Sequence, residues 1–375
     1  MNTVELNTSE RMLFALLRAS LHQKDAEQAF FQQVSEEDWR RCYRLAAKQG
    51  VMALAWDGVT TLPAEQQPPR ALKLTWGMAV QDYEAKYARY CRIIQELSAF
   101  YAGHGIVTVQ MKGVGLSSYY PVPAHREGGD IDIFTFSADT SKMTDSEANR
   151  LADELMIQQG IEVEMHSYKH SNFYYKGIPI ENHKFFLNVE HYPVAVQVDA
   201  LLQGRLQPKP TELLEGACRI LTPSPAFNTL FLAFHASQHY GSGLALHHLC
   251  DWAMLINRYG LQLPGELTDR HFLEAIAALT QLCNRHLGTS VDIKGGELLA
   301  DEMLEEILHP RYDHKGGIPV KGKWNVLMYK TRRFLYRSQI TNRILYVPVW
   351  KRKWMTVVAH VRHPETIFQT YLNKN

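Results

Sequence analysis

Residues 110–134 read QMKGVGLSSYYPVPAHREGGDIDIF, and this stretch decides the fold class predicted for the chain. A Lys-Gly-x-Gly turn at 112–115 precedes the run Gly-Gly-Asp-Ile-Asp-Ile at 128–133 by one strand-turn-strand distance. Alternation along a strand places Asp130 and Asp132 on one face. Two adjacent carboxylates repel each other and are tolerated where a divalent cation lies between them, usually Mg²⁺ with a substrate phosphate. Because a glycine turn supplies backbone N–H groups for such a phosphate, the stretch indicates metal-dependent chemistry on a nucleotide.

A solvated edge strand is the structural alternative for two alternating carboxylates. Ile131, Ile133 and Phe134 make the opposite face strongly apolar, so the strand is predicted to be half buried. A plain edge strand does not explain the glycines on both sides of the loop. The metal-binding interpretation is therefore favoured.

The same stretch resembles the core signature of the DNA polymerase β-like nucleotidyltransferase superfamily. It is more similar still to the family described as uncharacterised nucleotidyltransferases. The residues that carry this closer resemblance are Lys112, Gly113, Tyr120, Pro121, Arg126, Asp130 and Asp132. The superfamily usually has Gly-Ser or Gly-Gly in the turn, whereas this chain has Gly-Val-Gly with Ser117 later. The pattern Trp39, Leu45-Ala46, Gly50-Val51 resembles the N-terminal segment of that family, so the similarity extends beyond the signature.

The resemblance implies an α+β fold, with a nucleotidyltransferase-type mixed sheet and flanking helices between N- and C-terminal helical regions. It implies transfer of a nucleoside monophosphate from an NTP to an acceptor hydroxyl, with Mg²⁺ or Mn²⁺ held by Asp130 and Asp132. The predicted nucleotide-binding residues are Lys112, Gly113, Gly115, Ser117 and Arg126. A guanidinium can clamp a phosphate, although for Lys112 and Arg126 a solvated surface side chain is an equally good interpretation.

The family also implies a third carboxylate on a later strand, and Asp199 is the candidate. Residues 192–201 read YPVAVQVDAL and have alternating apolar residues, which predicts a strand that ends at Asp199. In the superfamily the equivalent residue completes the metal site or activates the attacking hydroxyl. Many relatives have Asp-apolar-His here, whereas this chain has Asp-Ala-Leu. An aspartate that ends a strand in a turn is the alternative.

Composition sets outer bounds only. The 375 residues are 46% hydrophobic and 21% charged with a net charge of +1, so whole-protein charge excludes no class of partner. Five scattered cysteines without a CxxC pair predict reduced thiols and a cytoplasmic protein. The N-terminus lacks a basic-apolar leader pattern, and no apolar run is long enough to span a membrane. We therefore expect a protein that is neither exported nor membrane-spanning.

The chain is predicted to fall into three zones: a helical region at 1–104, the catalytic domain at 105–205 and a helical region at 206–375. A long helix from about 72 to 102 carries aromatic residues at steps of three and four, a spacing typical of core packing. In the catalytic domain a capping box at Thr144 begins a helix. Strands are predicted near 106–109, 130–136, 161–165, 173–175, 184–189 and 194–199.

The C-terminal zone holds a group of histidines. It contains His235, His239, His247 and His248, with Asp251 close behind. Two histidines four residues apart share a helix face and can bind zinc, and a His/Asp hydrolase site is also conceivable. The metalloprotease pattern fails because Ala follows the first histidine. Hydrogen-bonded core histidines are the favoured interpretation.

The segment from 321 to 362 contains eleven Lys or Arg, seven aromatic residues and no Asp or Glu. A packing helix with a solvated basic face is the first interpretation, and contact with an anionic membrane surface or with nucleic acid are the alternatives. For the whole chain, the alternatives to catalysis are an inactive relative that serves as a scaffold and the helical metal hydrolase. The acceptor (a small molecule, a sugar, a protein or a nucleic acid end) has no short signature.

Overall fold

The structure is a computed structural model that describes residues 4–165, 167–190, 192–312, 320–348, 350–351 and 354. Within these residues it contains thirteen α-helices around one seven-stranded sheet, so the predicted α+β architecture is confirmed. The helices before the sheet are α1 (Thr8–His22), α2 (Gln28–Phe31), α3 (Glu36–Gln49), α4 (Met52–Thr60) and α5 (Arg70–Ala102). Those that follow its first strand are α6 (Val114–Ser117), α7 (Asp145–Gln158), α8 (Pro193–Gln203), α9 (Pro225–His239), α10 (Leu246–Tyr259), α11 (Arg270–Leu282), α12 (Glu297–Leu308) and α13 (Lys323–Asn342).

The strands are β1 (Ile106–Gln110), β2 (Ile131–Ser137), β3 (Val163–Glu164), β4 (His170–Tyr175), β5 (Ile178–His183), β6 (Lys209–Leu213) and β7 (Cys218–Thr222). They lie in the order β3-β4-β5-β2-β1-β7-β6. Strand β2 is antiparallel to β1 and parallel to β5, and β1 is parallel to β7. The parallel pairing of β2 with β5 positions the candidate site, because it joins two strands that are far apart in sequence.

Local capping explains where several helices begin and end. The Ser35 hydroxyl accepts the backbone N–H of Asp38 at the start of α3, and Gly50 ends that helix in the left-handed conformation. Thr144 and Glu147 form the predicted capping box of α7. These signals lie within a few residues of each other, so they are readable from sequence alone.

The two faces of β2 are buried differently. Ile131 and Ile133 pack with α5, α7 and neighbouring strands in one hydrophobic core. Of the aromatic residues predicted as the buried stripe of α5, Tyr87, Tyr90 and Tyr101 belong to this core and are at most 6% exposed, whereas Tyr83 is only partly buried and lies outside it. The opposite face of β2 carries Asp132 at its start. Phe134, which was expected beside the isoleucines, lies on this opposite face and packs against Phe186.

A second core joins the N-terminal helices to the C-terminal ones. It runs from α1, α3 and α4 through α8 to α9–α12. Gln49 lies at the junction, where its side chain donates to the carbonyl of Ile307 at 2.7 Å and accepts the N–H of Leu246 at 3.0 Å. The predicted three-domain division stays a prediction, but the first and third zones share one apolar core.

Three predictions of secondary structure are wrong. Residues 194–199 lie in helix α8 rather than in a strand, because Pro193 suits a first helical turn and the buried residues are spaced as on one helix face. The strand predicted at 184–189 is instead β5, just before it. The helical expectation from 206 onward fails at 209–222, where β6 and β7 form a hairpin on the edge of the sheet.

The basic aromatic segment begins with the helix α13, within the described residues. Tyr336 on α13 donates a hydrogen bond to Glu306 on α12 at 2.7 Å, so this helix packs on its neighbour. Trp324, Trp350 and Trp354 are more than 60% exposed. The contact with a membrane or nucleic acid stays a prediction, and Arg352, Lys353 and 355–362 lie outside the described residues. No helix in the described part of the chain is both long and apolar enough to cross a bilayer.

Candidate active site

Three carboxylates and a lysine meet where β2 begins. Asp132 is fully buried on β2, and Asp130 immediately precedes the strand on the same face, as predicted. In the parallel pairing Asp132 lies opposite Glu181 of β5, and cross-strand partners project to the same face. The Lys112 Nζ lies 3.0 Å from Asp132 Oδ1 and 3.7 Å from Asp130 Oδ2. The turn at 112–115 therefore places the ammonium group of Lys112 beside the carboxylates.

Two histidines complete the polar face. His183 donates through Nε2 to Asp132 Oδ1 at 2.9 Å, and the same nitrogen lies 3.4 Å from Glu181 Oε2. His170 Nε2 lies 3.7 Å from that glutamate oxygen. Asp132, Glu181 and His183 each offer a ligand atom, and these atoms lie within 4.8 Å of one another. The set has the composition of a divalent-cation site.

One oxygen supports that interpretation directly. Asp132 Oδ2 is buried and has no hydrogen-bond partner among the described residues. A buried carboxylate oxygen without a partner is costly, and Mg²⁺ and Mn²⁺ prefer oxygen ligands. The residues present thus fit the divalent cation that the superfamily implies.

The charged groups of the site change one another's pKa values. Burial opposes ionisation of Asp132, but Lys112 and His183 outweigh it and hold the pKa of that carboxyl well below its usual range. The neighbouring charge of Asp132, together with burial, raises the pKa of Asp130. Burial would lower the pKa of the Lys112 ammonium, yet the surrounding carboxylates raise it. The lysine therefore stays charged and acts as an internal counter-ion for the carboxylates.

The turn before the site requires two of its glycines. Gly113 has φ +61° and ψ −121°, and a Cβ there would lie 3.3 Å from the carbonyl oxygen of Asp130. A Cβ on Gly115 would lie 2.6 Å from the carbonyl oxygen of Gln110. Ser117, predicted to bind nucleotide, has a buried hydroxyl that bonds the carbonyl of Val114 and the hydroxyl of Tyr87. Its described contacts are with neither carboxylate.

Arg126, predicted as a phosphate clamp, is held by the protein itself. Its guanidinium makes two bonds to Asp251 of α10, at 2.6 and 3.0 Å, and a third to the carbonyl of Glu127 at 2.9 Å. Tyr120 donates to the same aspartate at 2.6 Å. This buried network joins the loop before β2 to α10. Because Asp251 is bound in it, this carboxylate is not available to the histidines of α9 and α10.

Asp199 is not placed with the other carboxylates. It lies on α8, where Oδ1 accepts the backbone N–H of Leu187 at 3.0 Å and Oδ2 accepts a bond from Gln203 at 3.3 Å. Burial raises the pKa of this carboxyl. Its contacts hold the segment that follows β5. Because Asp199 lies in a helix, the strand position from which its role was predicted is wrong.

Glu181 and His183 are the site residues that sequence reasoning missed. Ile178 and Ile180 precede them along β5. Many relatives have Asp-apolar-His, and Glu-Asn-His at 181–183 shares only the histidine with that pattern. Asn182 stands where those relatives have an apolar residue. It is buried on the other face, in hydrogen bonds with α7. The polar Glu-Asn-His run lacks the apolar alternation of a strand, and the strand was predicted just after it, at 184–189.

The amino-acid sequence places the chain in a known protein family. A family described as uncharacterised nucleotidyltransferases matches residues 35–287, more than half of the chain, and the chain belongs to that family. Among solved structures, an antigenic nucleotidyltransferase-like protein from Paracoccidioides brasiliensis matches with 14% identity and a TM-score of 0.35, over 54% of this chain and 94% of that one. A likeness at that level carries no argument about the site. No curated protein matches the chain.

Proposed function

We propose that the protein transfers a nucleoside monophosphate from an NTP to an acceptor hydroxyl, at the carboxylates of β2 and β5. Membership of the nucleotidyltransferase family supports the reaction class. The observation that carries the proposal is the parallel register of Asp132 with Glu181, beside a buried aspartate oxygen that has no described partner. We assign the third carboxylate to Glu181 in place of Asp199.

Asp130, Asp132 and Glu181 would hold Mg²⁺ or Mn²⁺. When bound, such a cation neutralises charge on the triphosphate and favours ionisation of an attacking hydroxyl. His183 donates to Asp132 and so holds that carboxylate in one orientation. Asp132 is fully buried, whereas Glu181 is 25% exposed and Asp130 37%, so an acceptor can reach either of these two. We assign the proton acceptor to Glu181 because the Lys112 ammonium lies 3.7 Å from Asp130.

In the proposed reaction the acceptor oxygen bonds to the α-phosphorus of the NTP. The bond from that phosphorus to the bridging oxygen breaks and pyrophosphate leaves, while the acceptor proton passes to Glu181.

The other residues have roles that follow from their positions. Lys112, which bridges Asp130 and Asp132, turns to the phosphates when an NTP occupies the turn. Gly113 and Gly115 keep that turn free of side chains. Arg126 positions the loop through Asp251.

The test is a binding and transfer assay with α-labelled NTPs. The purified full chain meets each of the four common NTPs with Mg²⁺ or Mn²⁺, beside an Asp130→Asn/Asp132→Asn double variant. Glu164→Gln, an exposed carboxylate on β3, is the matched control. We expect metal-dependent labelling or binding that the double variant loses and the control keeps. Absence of NTP binding with either metal would overturn the proposal.

A catalytically inactive nucleotide-binding relative is the second candidate. The observation in its favour is that Lys112 already supplies a cation to Asp130 and Asp132. NTP binding without pyrophosphate release, across a panel of small-molecule, sugar and protein acceptors, would favour it.

All five cysteines are free and buried, which supports the cytoplasmic location that we also propose.

A further inference from the structure

Three histidines outside the carboxylate site converge on one point. His235 and His239 lie one turn apart near the end of α9, and His248 lies in the first turn of α10. Each offers a ring nitrogen, and these nitrogens lie within 4.8 Å of one another. The ring centroids are 4.6, 4.7 and 5.2 Å apart. Ligand nitrogens on a tetrahedral zinc ion, at about 2.0–2.1 Å from the metal, are separated by roughly 3.4 Å, so small rotations of the rings bring them together.

Hydrogen bonding does not explain the cluster. The side chains of His235 and His239 make no hydrogen bond within the described part of the chain, although both residues are half buried; the bonds that His239 accepts from Ser242 and Leu244 are to its main-chain carbonyl. Polar groups at such depth usually have a partner. This finding disfavours the interpretation of these two as hydrogen-bonded core histidines, and it leaves their ring nitrogens available as ligands.

The third histidine has the outer contact that a ligand histidine needs. His248 Nδ1 accepts the backbone N–H of Ala245 at 3.2 Å, and the carbonyl oxygen of the same residue lies 3.3 Å away. For Nε2 to bind a metal, the ring proton must move to Nδ1, and a bond to that carbonyl then replaces the bond from the N–H. Metal-bound histidines commonly donate their other ring N–H to a backbone carbonyl in this way.

The surroundings of the three imidazoles lower their pKa values. Burial, and the nearby charge of Lys112, lower the pKa of both His235 and His239, the latter to about 3. Burial likewise lowers the pKa of His248. The lowered pKa values favour the neutral imidazole, which is the form that binds a metal ion. Lys112, which is paired with Asp130 and Asp132, is thus close enough to the histidines for its charge to affect them.

We propose that His235, His239 and His248 form a transition-metal site, with Zn²⁺ as the first candidate, separate from the Mg²⁺ or Mn²⁺ site at the carboxylates. Imidazole nitrogens favour zinc and its neighbours, whereas carboxylates favour magnesium and manganese. Three protein ligands leave a fourth position for water or an anionic ligand. Asp251 takes no part because Arg126 and Tyr120 hold it. The site is therefore a three-histidine centre and not a His/Asp hydrolase centre, and it stands independently of the proposed transfer reaction.

The test measures metal binding rather than activity. Full-length protein, stripped with a chelator, is titrated with Zn²⁺ by calorimetry and with Co²⁺ by visible absorption, which reports a tetrahedral nitrogen-rich site. His239→Ala and the milder His235→Gln are compared with His271→Ala, a surface histidine on α11. Asp132→Asn tests the carboxylate site. Circular dichroism verifies that each variant is folded.

We expect about one zinc equivalent in the wild type, His271→Ala and Asp132→Asn. Loss of a ligand should weaken binding at least about 100-fold, because removal of outer contacts alone costs 10- to 100-fold. Two results would overturn the proposal: no Zn²⁺ or Co²⁺ binding by the wild type, or binding that Asp132→Asn removes while the folded histidine variants keep it. The second result would place the metal at the carboxylates.

Discussion

Substitution of Glu181 by glutamine separates the two candidates for the third carboxylate. The change removes one negative charge and keeps the shape of the side chain. In the structure Glu181 lies opposite Asp132 across a parallel strand pair. Asp199 instead accepts a backbone N–H of Leu187 on a different element. The two variants are therefore expected to differ: Glu181→Gln should lower the affinity for metal, and Asp199→Asn should lower the stability of the fold.

The magnitude follows from the exposure of the side chain. A unit charge about 4 Å from another contributes about 4 kcal/mol at an effective dielectric constant near 20. Glu181 is 25% exposed, so water and the new amide oxygen recover part of this for a bound cation. We expect a net loss of about 2–3 kcal/mol, which is about 30- to 150-fold in the affinity for Mn²⁺.

Asp199→Asn is expected to act on folding instead. The backbone N–H of Leu187 keeps an acceptor, but the bond is no longer assisted by charge, and the new amide group is buried. A weakened buried hydrogen bond costs about 1–3 kcal/mol. The free energy of unfolding in urea should fall by that amount, with Mn²⁺-dependent NTP binding changed less than about threefold.

The assay is Mn²⁺ and NTP binding by calorimetry, paired with urea unfolding of each variant. Glu164→Gln on the exposed strand β3 is the control for loss of one carboxylate at the surface. If folded Asp199→Asn loses metal-dependent NTP binding while Glu181→Gln retains it, the third carboxylate is Asp199 and not Glu181.

Three further predictions concern stability. Arg126→Met leaves Asp251 buried without its cation, so the free energy of unfolding in urea should fall by about 3–5 kcal/mol; a loss below 1 kcal/mol would contradict the buried ion pair. Gly115→Ala sets a Cβ 2.6 Å from a main-chain carbonyl oxygen and should cost about 1–3 kcal/mol in the same measurement, whereas Gly129→Ala, with nothing within 4 Å, should be nearly neutral; equal effects would argue against the close approach. Burial lowers the pKa of His286 from 6.5 to about 4, so between these values the unfolded chain binds the extra proton and stability falls as pH falls. The slope is at most about 1.4 kcal/mol per pH unit, and unfolding measured from pH 4 to 7 should lose that part of the slope in His286→Gln.

Local signals in the sequence were sufficient for much of the framework. The alternation in Asp-Ile-Asp-Ile placed both aspartates on one face and the isoleucines in the core, since the period of a strand is two residues. Caps at Ser35 and Thr144 and the stop at Gly50 fixed helix ends, because a cap involves residues within three or four positions of each other.

Apolar alternation misled where two periods fit the same residues. In α8 the valines at 194, 196 and 198 alternate as in a strand, yet Val194, Val198 and Leu202 are also four residues apart. The structure buries these three and leaves Val196 57% exposed. Packing of the helix against α9 decided between the two periods, and a short window of sequence does not contain that information.

The β1-turn-β2 unit with Lys112, Asp130 and Asp132 was predictable from the sequence, because each contact there is made by residues close together in the chain. Three other features depend on the folded chain: Glu181 is the partner of Asp132, Arg126 binds an aspartate 125 residues away, and three histidines meet between α9 and α10. Strand pairing, buried ion pairs and helix packing depend on which distant segments share a core. That choice is made by the free energy of the whole fold and leaves no local pattern in the sequence.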